Sequence, residues 1–167
     1  TIYGDASDNI AHISLGFQDA ERKDRYKLAT EINTPSQSEY EIKFIVDSLL
    51  LNYNQWNLST DNLIRFANND LHIKNFDLNF ENQHLILNSN TAPPNAPLQA
   101  NFKDFKIATL TAFINPDTVL ADGLMNGEVQ LNDLLQHPTF TANLNIQNFS
   151  LKEDTVGNLD IAVNNTT

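Results

Sequence analysis

The chain contains no cysteine, which removes both a disulfide framework and thiol chemistry. Envelope proteins that avoid oxidative cross-links share that absence with many cytosolic ones. There is no apolar run near the ~20 residues that a membrane-spanning helix needs. The densest stretch, Phe44-Ile-Val-Asp-Ser-Leu-Leu-Leu51, is interrupted by an aspartate, so no transmembrane segment and no secretory leader is expected. Basic residues are scarce: ten Lys and Arg stand against 21 Asp and Glu, for a formal net charge of −11. They are scattered singly apart from Arg22-Lys23-Asp24-Arg25. A nucleic-acid binder needs a basic stripe to displace counterions, so nucleic acid is excluded as a partner. The same charge disfavours docking of the outer surface on anionic lipid head groups.

Catalytic signatures are also missing. His12, His72, His84 and His137 are isolated and lack metal-site spacing, so they are expected on the surfaces of strands and turns. Asp5, Asp8, Asp117 and Asp122 lie near Gly, Asn or Pro and read as turn formers, without the dense loop that calcium requires. Gly123-Leu-Met-Asn-Gly127 is neither a phosphate loop nor a dinucleotide fingerprint. Asn-x-Ser/Thr triplets at Asn57, Asn148, Asn164 and Asn165 are no more frequent than the composition produces by chance. Trp56, the one tryptophan, reads as a packed anchor at a strand end rather than a sugar-stacking platform. No enzyme, no metal and no cofactor is expected.

What the chain does have is alternation. Ile13-Ser-Leu15-Gly-Phe17 and Tyr26-Lys-Leu28 onward predict a hairpin, and Tyr40-Glu-Ile42-Lys-Phe44 predicts the next strand. Leu63 to Phe66, Leu85-Ile-Leu87, Val129-Gln-Leu131, Phe140 to Leu144 and Leu159 to Val163 continue the pattern. Ala108 to Ile114 is the one candidate helix, and asparagine is abundant where helix formers are not. About ten to twelve short strands predict an all-β fold in one domain, residues 1–167, with Thr91 to Pro97 as its candidate sub-boundary. The start at Thr1 and the end at Thr167 read as those of a piece of a longer protein.

Leu71-His-Ile-Lys-Asn-Phe-Asp-Leu78 and Leu144-Asn-Ile-Gln-Asn-Phe-Ser-Leu151 share five of eight residues, and Ala100-Asn-Phe-Lys-Asp-Phe-Lys-Ile107 is a looser copy. In each, alternation loses step at a polar pair and resumes at a Phe. A one-residue slip flips every later side chain to the other face, so a β-bulge is expected at Lys74-Asn75, Lys103-Asp104 and Gln147-Asn148. Serial repeats with repeated bulges predict a curled sheet with an apolar inner face. Periodicity alone leaves two arrangements, a closed sandwich or barrel core and an open groove.

The C-terminal half resembles a repeat of the TamB family, the translocation and assembly module of the bacterial envelope, related to AsmA-like envelope proteins. The resemblance rests on Phe105-Lys-Ile-Ala-Thr-Leu-Thr-Ala-Phe-Ile114, Gly123-Leu-Met-Asn-Gly127-Glu-Val-Gln-Leu131, Pro138 through Phe149, and Gly157-Asn-Leu159. Val46 through Trp56 and on to Leu87 is similar too, so the likeness covers about residues 40–163. Ala142 stands where the family often has Gly, and Asn-rich turns replace its Asn-Gly turns. The resemblance implies an elongated, taco-shaped β-groove in the periplasm of the bacterial envelope, anchored elsewhere to the inner membrane. It also implies a role in outer-membrane biogenesis, either in phospholipid transport or in inserting β-barrel proteins, with an outer-membrane assembly partner bound through flanks beyond this chain.

On that expectation, phospholipid acyl chains lie against Phe44, Val46, Ile73, Phe76, Leu78, Phe80, Leu85, Leu87, Phe102, Phe105, Ile107, Val129, Leu131, Leu144, Ile146, Phe149 and Leu151. Each buried CH₂ would contribute about 0.8 kcal/mol. Two other readings remain open: a scaffold or chaperone whose sheet edge pairs with an incoming outer-membrane strand, and an extracellular β-sandwich binding module with exposed loop aromatics.

Overall fold

The computed structural model of the chain describes residues 1–67, 70–89, 97–112, 115, 117–133, 137–152 and 154–165. A first sheet is formed by β1 (Ile2–Ser7), β2 (Ile10–Gln18), β3 (Asp24–Ser36), β4 (Glu39–Phe44), β7 (Leu63–Ala67) and β8 (Asp70–Lys74), paired in that order. Two-residue strands β5 (Leu50–Leu51) and β6 (Asn54–Gln55) attach to it through β3. The second sheet runs β9 (Phe76–Phe80), β10 (Gln83–Ser89), β11 (Leu98–Lys106), β12 (Ala121–Asn132), β13 (Thr139–Leu151) and β14 (Asp154–Asn165). A short helix, α1 (Ile107–Thr111), joins β11 to β12, and Val46–Ser48 forms one 3-10 turn. The expectation of an all-β chain with at most one or two short helices is met, and the sheets do not close into a barrel.

Both sheets are antiparallel meanders in which each strand pairs with its neighbour in sequence, save where residues 45–62 are inserted between β4 and β7. Tight turns need residues that tolerate a left-handed backbone, and the chain supplies Asp and Asn there. Asp8 and Asn9 (φ 48° and 67°) connect β1 to β2, and Asn52 and Tyr53 (φ 48° and 68°) connect β5 to β6. Positive φ at both central residues is the two-residue hairpin turn whose twist matches that of the strands. Of the expected turn formers, Asp8 fills that role, whereas Asp5 and Asp122 lie within β1 and β12.

Directly opposed residues of an antiparallel ladder share a face. In the second sheet Phe76, Leu87, Ala100, Val129, Ala142 and Val163 form one such row, and Leu78, Leu85, Phe102, Gly127, Leu144 and Ile161 form the next. The opposite face carries rows such as Asn88, Gln99, Gln130, Thr141 and Asn164. The first sheet repeats the division. Ala6, Ala11, Ile32, Ile42, Ile64 and Ile73 line one face, and Asp5, His12, Glu31 and Lys43 the other.

The polar pairs of the repeated phrase keep these rows intact. Register shifts between Phe102 and Phe105 in β11 and between Ile146 and Phe149 in β13, where Asp104 (φ 46°) and Asn148 (φ 53°) are the left-handed residues. A bulge exposes an extra amide, and an asparagine on the next strand accepts it. Asp104 N–H donates to Asn126 Oδ1 at 2.9 Å, and Asn148 N–H to Asn158 Oδ1 at 3.1 Å. The third pair is used differently. Asn75 (φ 54°) stands between β8 and β9 and carries the chain from the first sheet to the second, so it is a corner rather than a bulge within a ladder. The same inserted residue keeps Ile73 and Phe76 on the apolar side while the pairing partner changes.

The sheets are tied beside this corner. Ser89 Oγ accepts from Ile73 N–H at 2.8 Å and donates to its carbonyl at 3.3 Å, and Asn57 and Asn79 exchange backbone bonds at 2.8 and 2.9 Å. Their apolar faces meet over a core of Leu49, Trp56, Leu58, Phe105, Met125 and Ile146. That core is small. The accessible surface is 10422 Å², against about 8300 Å² expected of a compact monomer of this mass. Proline-rich residues 91–96, and Phe113, Ile114 and Pro116 of the expected helix and its stop, lie outside the described residues.

A bulge residue held at positive φ resists β-branching. Asn148→Val should lower unfolding stability by about 2 kcal/mol, because a left-handed backbone is costly for an L-residue, while Asn148→Gly should stay within about 0.5 kcal/mol. Chemical denaturation of the two variants beside the parent checks this. Equal stability of all three would mean that the bulge exerts no constraint.

Candidate functional site: an apolar trough between two sheets

Burial along the facing apolar sides falls toward the outer strands β1 and β14. At the centre, residues 45–62 fold back into the space between the sheets. Trp56 is 2% exposed, with its ring 5.5 Å from that of Phe80 and 5.8 Å from that of Phe105. Leu49 and Leu58 are buried beside it. The insertion is pinned by Asn62, itself wholly buried. Its amide accepts from Phe44 N–H at 2.8 Å and donates to the carbonyls of Phe44 (3.0 Å) and Ser59 (2.7 Å), standing in for a ladder partner at the end of β4. Gln83, also buried, accepts from Lys106 N–H and Thr109 Oγ1 and so fixes the start of α1. Trp56 is therefore a packed anchor, and the residue best suited to stack on a sugar is inaccessible.

The residues expected to line a groove divide accordingly. Phe105, Ile146 and Ile73 are buried and form the floor. Phe44, Val46, Phe76, Leu78, Phe80, Leu85, Phe102, Ile107, Leu144 and Phe149 are half-buried and pack against the core; Phe44 and Phe76 meet edge to face at 5.7 Å. Val46 does so from the 3-10 turn and Ile107 from the first position of α1. Leu87 and Val129 are half-buried on the row of Phe76, Leu131 is half-buried on the neighbouring row with Leu98 and Phe140, and Leu151 is exposed at the end of β13. Leu28, Leu51, Met125, Leu159 and Ile161 also line the trough. Alternation about Leu28, Leu51, Leu159 and Ile161 marked those four as members of one face; Met125 carried no comparable signal.

At its outer strands the trough is open. Ile2 on β1 and Val163 on β14 are exposed members of the apolar rows because each strand has a neighbour on one side only, and Phe17 is exposed because β1 reaches no further along β2 than Leu15. A cavity of about 330 Å³, lined by Leu15, Phe17, Tyr26, Lys27, Leu28 and Leu51, occupies the first sheet near the β2–β3 loop. A second, of about 220 Å³, lies between the insertion and α1, with Trp56, Phe80 and Gln83 among its walls.

A polar clasp joins the sheets across this end. Arg25 of β3 donates to Asn52 Oδ1 at 3.1 Å and to Asp117 Oδ1 at 2.9 Å, with its guanidinium over the rings of Tyr53 and Tyr26. Tyr26 donates to the carbonyl of Ala112 at 3.1 Å. The bond to Asp117 raises the Arg25 pKa. The amide of Lys23 and the hydroxyl of Tyr53 hold the Asp19 carboxyl below its usual value, and that same bond raises the Tyr53 phenol. A depressed carboxylate stabilises the fold above its unfolded pKa and loses that contribution as pH falls through the folded one, so this loop loosens in acid.

Each histidine pairs with a carboxylate at the surface: His12 with Asp5 and Glu31, His72 with Asp70, His84 with Asp77, and His137 with Asp133. Among the described residues no group of three or more His, Asp or Glu is placed to hold a metal ion, and no helix is long and apolar enough to cross a membrane. Comparison with protein-family models, with curated proteins and with solved structures returns no match to this chain.

The plug has a measurable weight. Trp56→Ala should cost about 3–5 kcal/mol as a large-to-small core change, and Asn62→Ala about 1–3 kcal/mol by leaving Phe44 N–H unsatisfied. Denaturant midpoints report both; a cost under about 1 kcal/mol for Trp56→Ala, well below the range of such core changes, would show that the insertion does not hold the sheets together.

Proposed function

We propose that this chain is a non-enzymatic lipid-shielding module of the bacterial envelope, whose apolar trough covers acyl chains of phospholipid moving between the inner and outer membranes. The observation that carries the reading is the pair of apolar rows that cross all six strands of the second sheet, one of them with Gly127 at β12, backed by polar rows on the opposite face. Strands stand about 4.8 Å apart, so each row offers an apolar track of roughly 25 Å. Burial of acyl CH₂ against it is favourable by about 0.8 kcal/mol each, yet neighbouring positions are nearly equivalent and a chain meets no deep trap along the way. The task calls for surface rather than chemistry. The likeness of residues 40–163 to the envelope-assembly family points the same way, toward a periplasmic module on a parent anchored to the inner membrane.

The test is solvent extraction of the purified chain and mass spectrometry of what it carries, beside a Leu144→Asp/Ile161→Asp variant. These two residues are half-buried, opposed to each other on β13 and β14 and packed at the margin of the core, so circular dichroism first verifies that the variant is folded. Phospholipid in the parent and none in the folded variant is the expected result. A lipid-free parent would overturn the proposal.

One further observation favours a second reading, a scaffold for incoming outer-membrane strands. The edge strand β14 is twelve residues long, largely exposed, and contains no Lys, Arg or Pro, the residues that usually protect such an edge. With Ala162→Cys in this cysteine-free chain, disulfide trapping should capture cysteine-bearing peptides of outer-membrane barrel strands at β14. Trapping no better than that of scrambled peptides would remove this reading.

A further inference from the structure

The cavity beside the β2–β3 loop is, we infer, a site for one acyl chain bearing an anionic head group, with the tail against Phe17, Leu28 and Leu51 and the head at Arg22 and Lys23. The inference rests on the lipid reading and adds which lipid this end of the trough selects. Three observations carry it.

The first is size and lining. Apart from Lys27, the walls are Leu15, Phe17, Tyr26, Leu28 and Leu51, and the volume is about 330 Å³. At ~30 Å³ for each methylene, the share of a liquid water, the cavity has room for roughly ten of them, which suits a stretch of acyl chain. The second is rigidity. Tyr26 is held by its bond to Ala112 and Arg25 by Asn52 and Asp117, so the wall nearest the loop is in place before a ligand arrives.

The third is charge. Phe17 and Tyr26 are the last inward-facing pair before the loop, which begins at Asp19. Four of the ten basic residues, Arg22, Lys23, Arg25 and Lys27, fall between positions 22 and 27. Together with Asp19, Glu21, Asp24 and Asp117 they sum to zero, so the rest of the chain carries the whole −11. An anion is repelled elsewhere and not here. Within the cluster, Arg25 is committed to Asp117 and Lys27 to Asp24. Asp19 is taken up by the amides of Glu21 and Lys23 and by Tyr53. Lys23 lies over the Tyr53 ring, 4.9 Å from its centroid, and the Arg22 side chain makes no hydrogen bond or ion pair among the described residues. The loop bonds Asp19 N–H to Lys23 O and Arg22 N–H to Asp19 O, both at 3.0 Å, hold it in one shape. Arg22 and Lys23, in the loop that joins Phe17 to Tyr26, are thus the cations of the cluster that no carboxylate among the described residues engages.

Dodecyl phosphate and dodecyl maltoside share a tail and differ in head-group charge, so titrating each below its micellar concentration, with calorimetric readout, tests the site. Dodecyl phosphate should bind the parent about tenfold more tightly, and Arg22→Glu/Lys23→Glu should erase that preference. Phe17→Asp should abolish binding of both probes. Phe17 is 57% exposed, so this variant keeps its fold, which circular dichroism verifies. Equal binding of the two probes, or a preference that survives the charge reversal, overturns the head-group assignment. Binding indifferent to Phe17→Asp overturns the cavity. Phospholipid recovered from the parent while dodecyl phosphate fails to bind would sink this site alone. A lipid-free parent that still binds dodecyl phosphate in a Phe17-dependent way would sink the groove and leave this site standing.

Discussion

Side chains along a strand alternate between two faces, and any odd insertion turns the remainder of the strand inside out. Everything in this molecule depends on how that constraint is met at Asp104 and Asn148. Each is an extra residue in the left-handed region, tolerable for Asp or Asn, and each returns the following Phe to the side already occupied by the preceding apolar residues. Without them, Phe105 and Phe149 would face solvent while Lys106 and Ser150 faced the trough. The bulge exposes a peptide N–H that no ladder partner can take. Asn126 and Asn158 take it with side-chain oxygens, which gives the asparagine-rich composition a structural role beyond turns.

The price of such a regular face is that little of it is buried. Two apolar sheets that met along their whole length would close over a dry core. Here the insertion between β4 and β7 fills only the middle with Trp56, Leu49 and Leu58, and the clasp about Arg25 ties one end. The outer rows stay half-buried, and so the accessible surface exceeds that of a compact chain of equal mass. Stability is concentrated in the plug and the corner at Asn75, which leaves the open rows free to meet something else.

Much of this was legible in the residues. The repeated phrase disclosed serial strands, and its polar pairs disclosed where register shifts. Its copy at Leu71 to Leu78 shares five of eight residues with that at Leu144 to Leu151 yet forms a corner between two sheets, because whether a left-handed asparagine makes a bulge or a bend depends on which strand lies alongside, and that is a long-range matter. Trp56 was readable as an anchor but not as the plug between sheets, since its partners Phe80 and Phe105 are distant in sequence. The clasp was invisible for the same reason: Arg25 and Asp117 are 92 residues apart. Asp5 and Asp122 looked like turn formers from their neighbours, whereas on strands Asp5 pairs with His12 and Asp122 caps the amide of Gly123.

An exposed apolar face in a monomer is an aggregation hazard unless something opposes contact between copies. The charge distribution does so. With the β2–β3 cluster neutral, the whole excess of negative charge lies on the remaining surface, including Asp5 on one edge strand and Asp154 and Asp160 on the other. Copies repel one another at the edges where sheets would otherwise join, although no lysine or proline guards β14. A neutral or zwitterionic lipid meets no such opposition, and an uncharged tail meets none within the rows. Negative charge outside and regular apolar rows inside are therefore complementary parts of one arrangement, in which contact between copies is disfavoured while the apolar rows stay open.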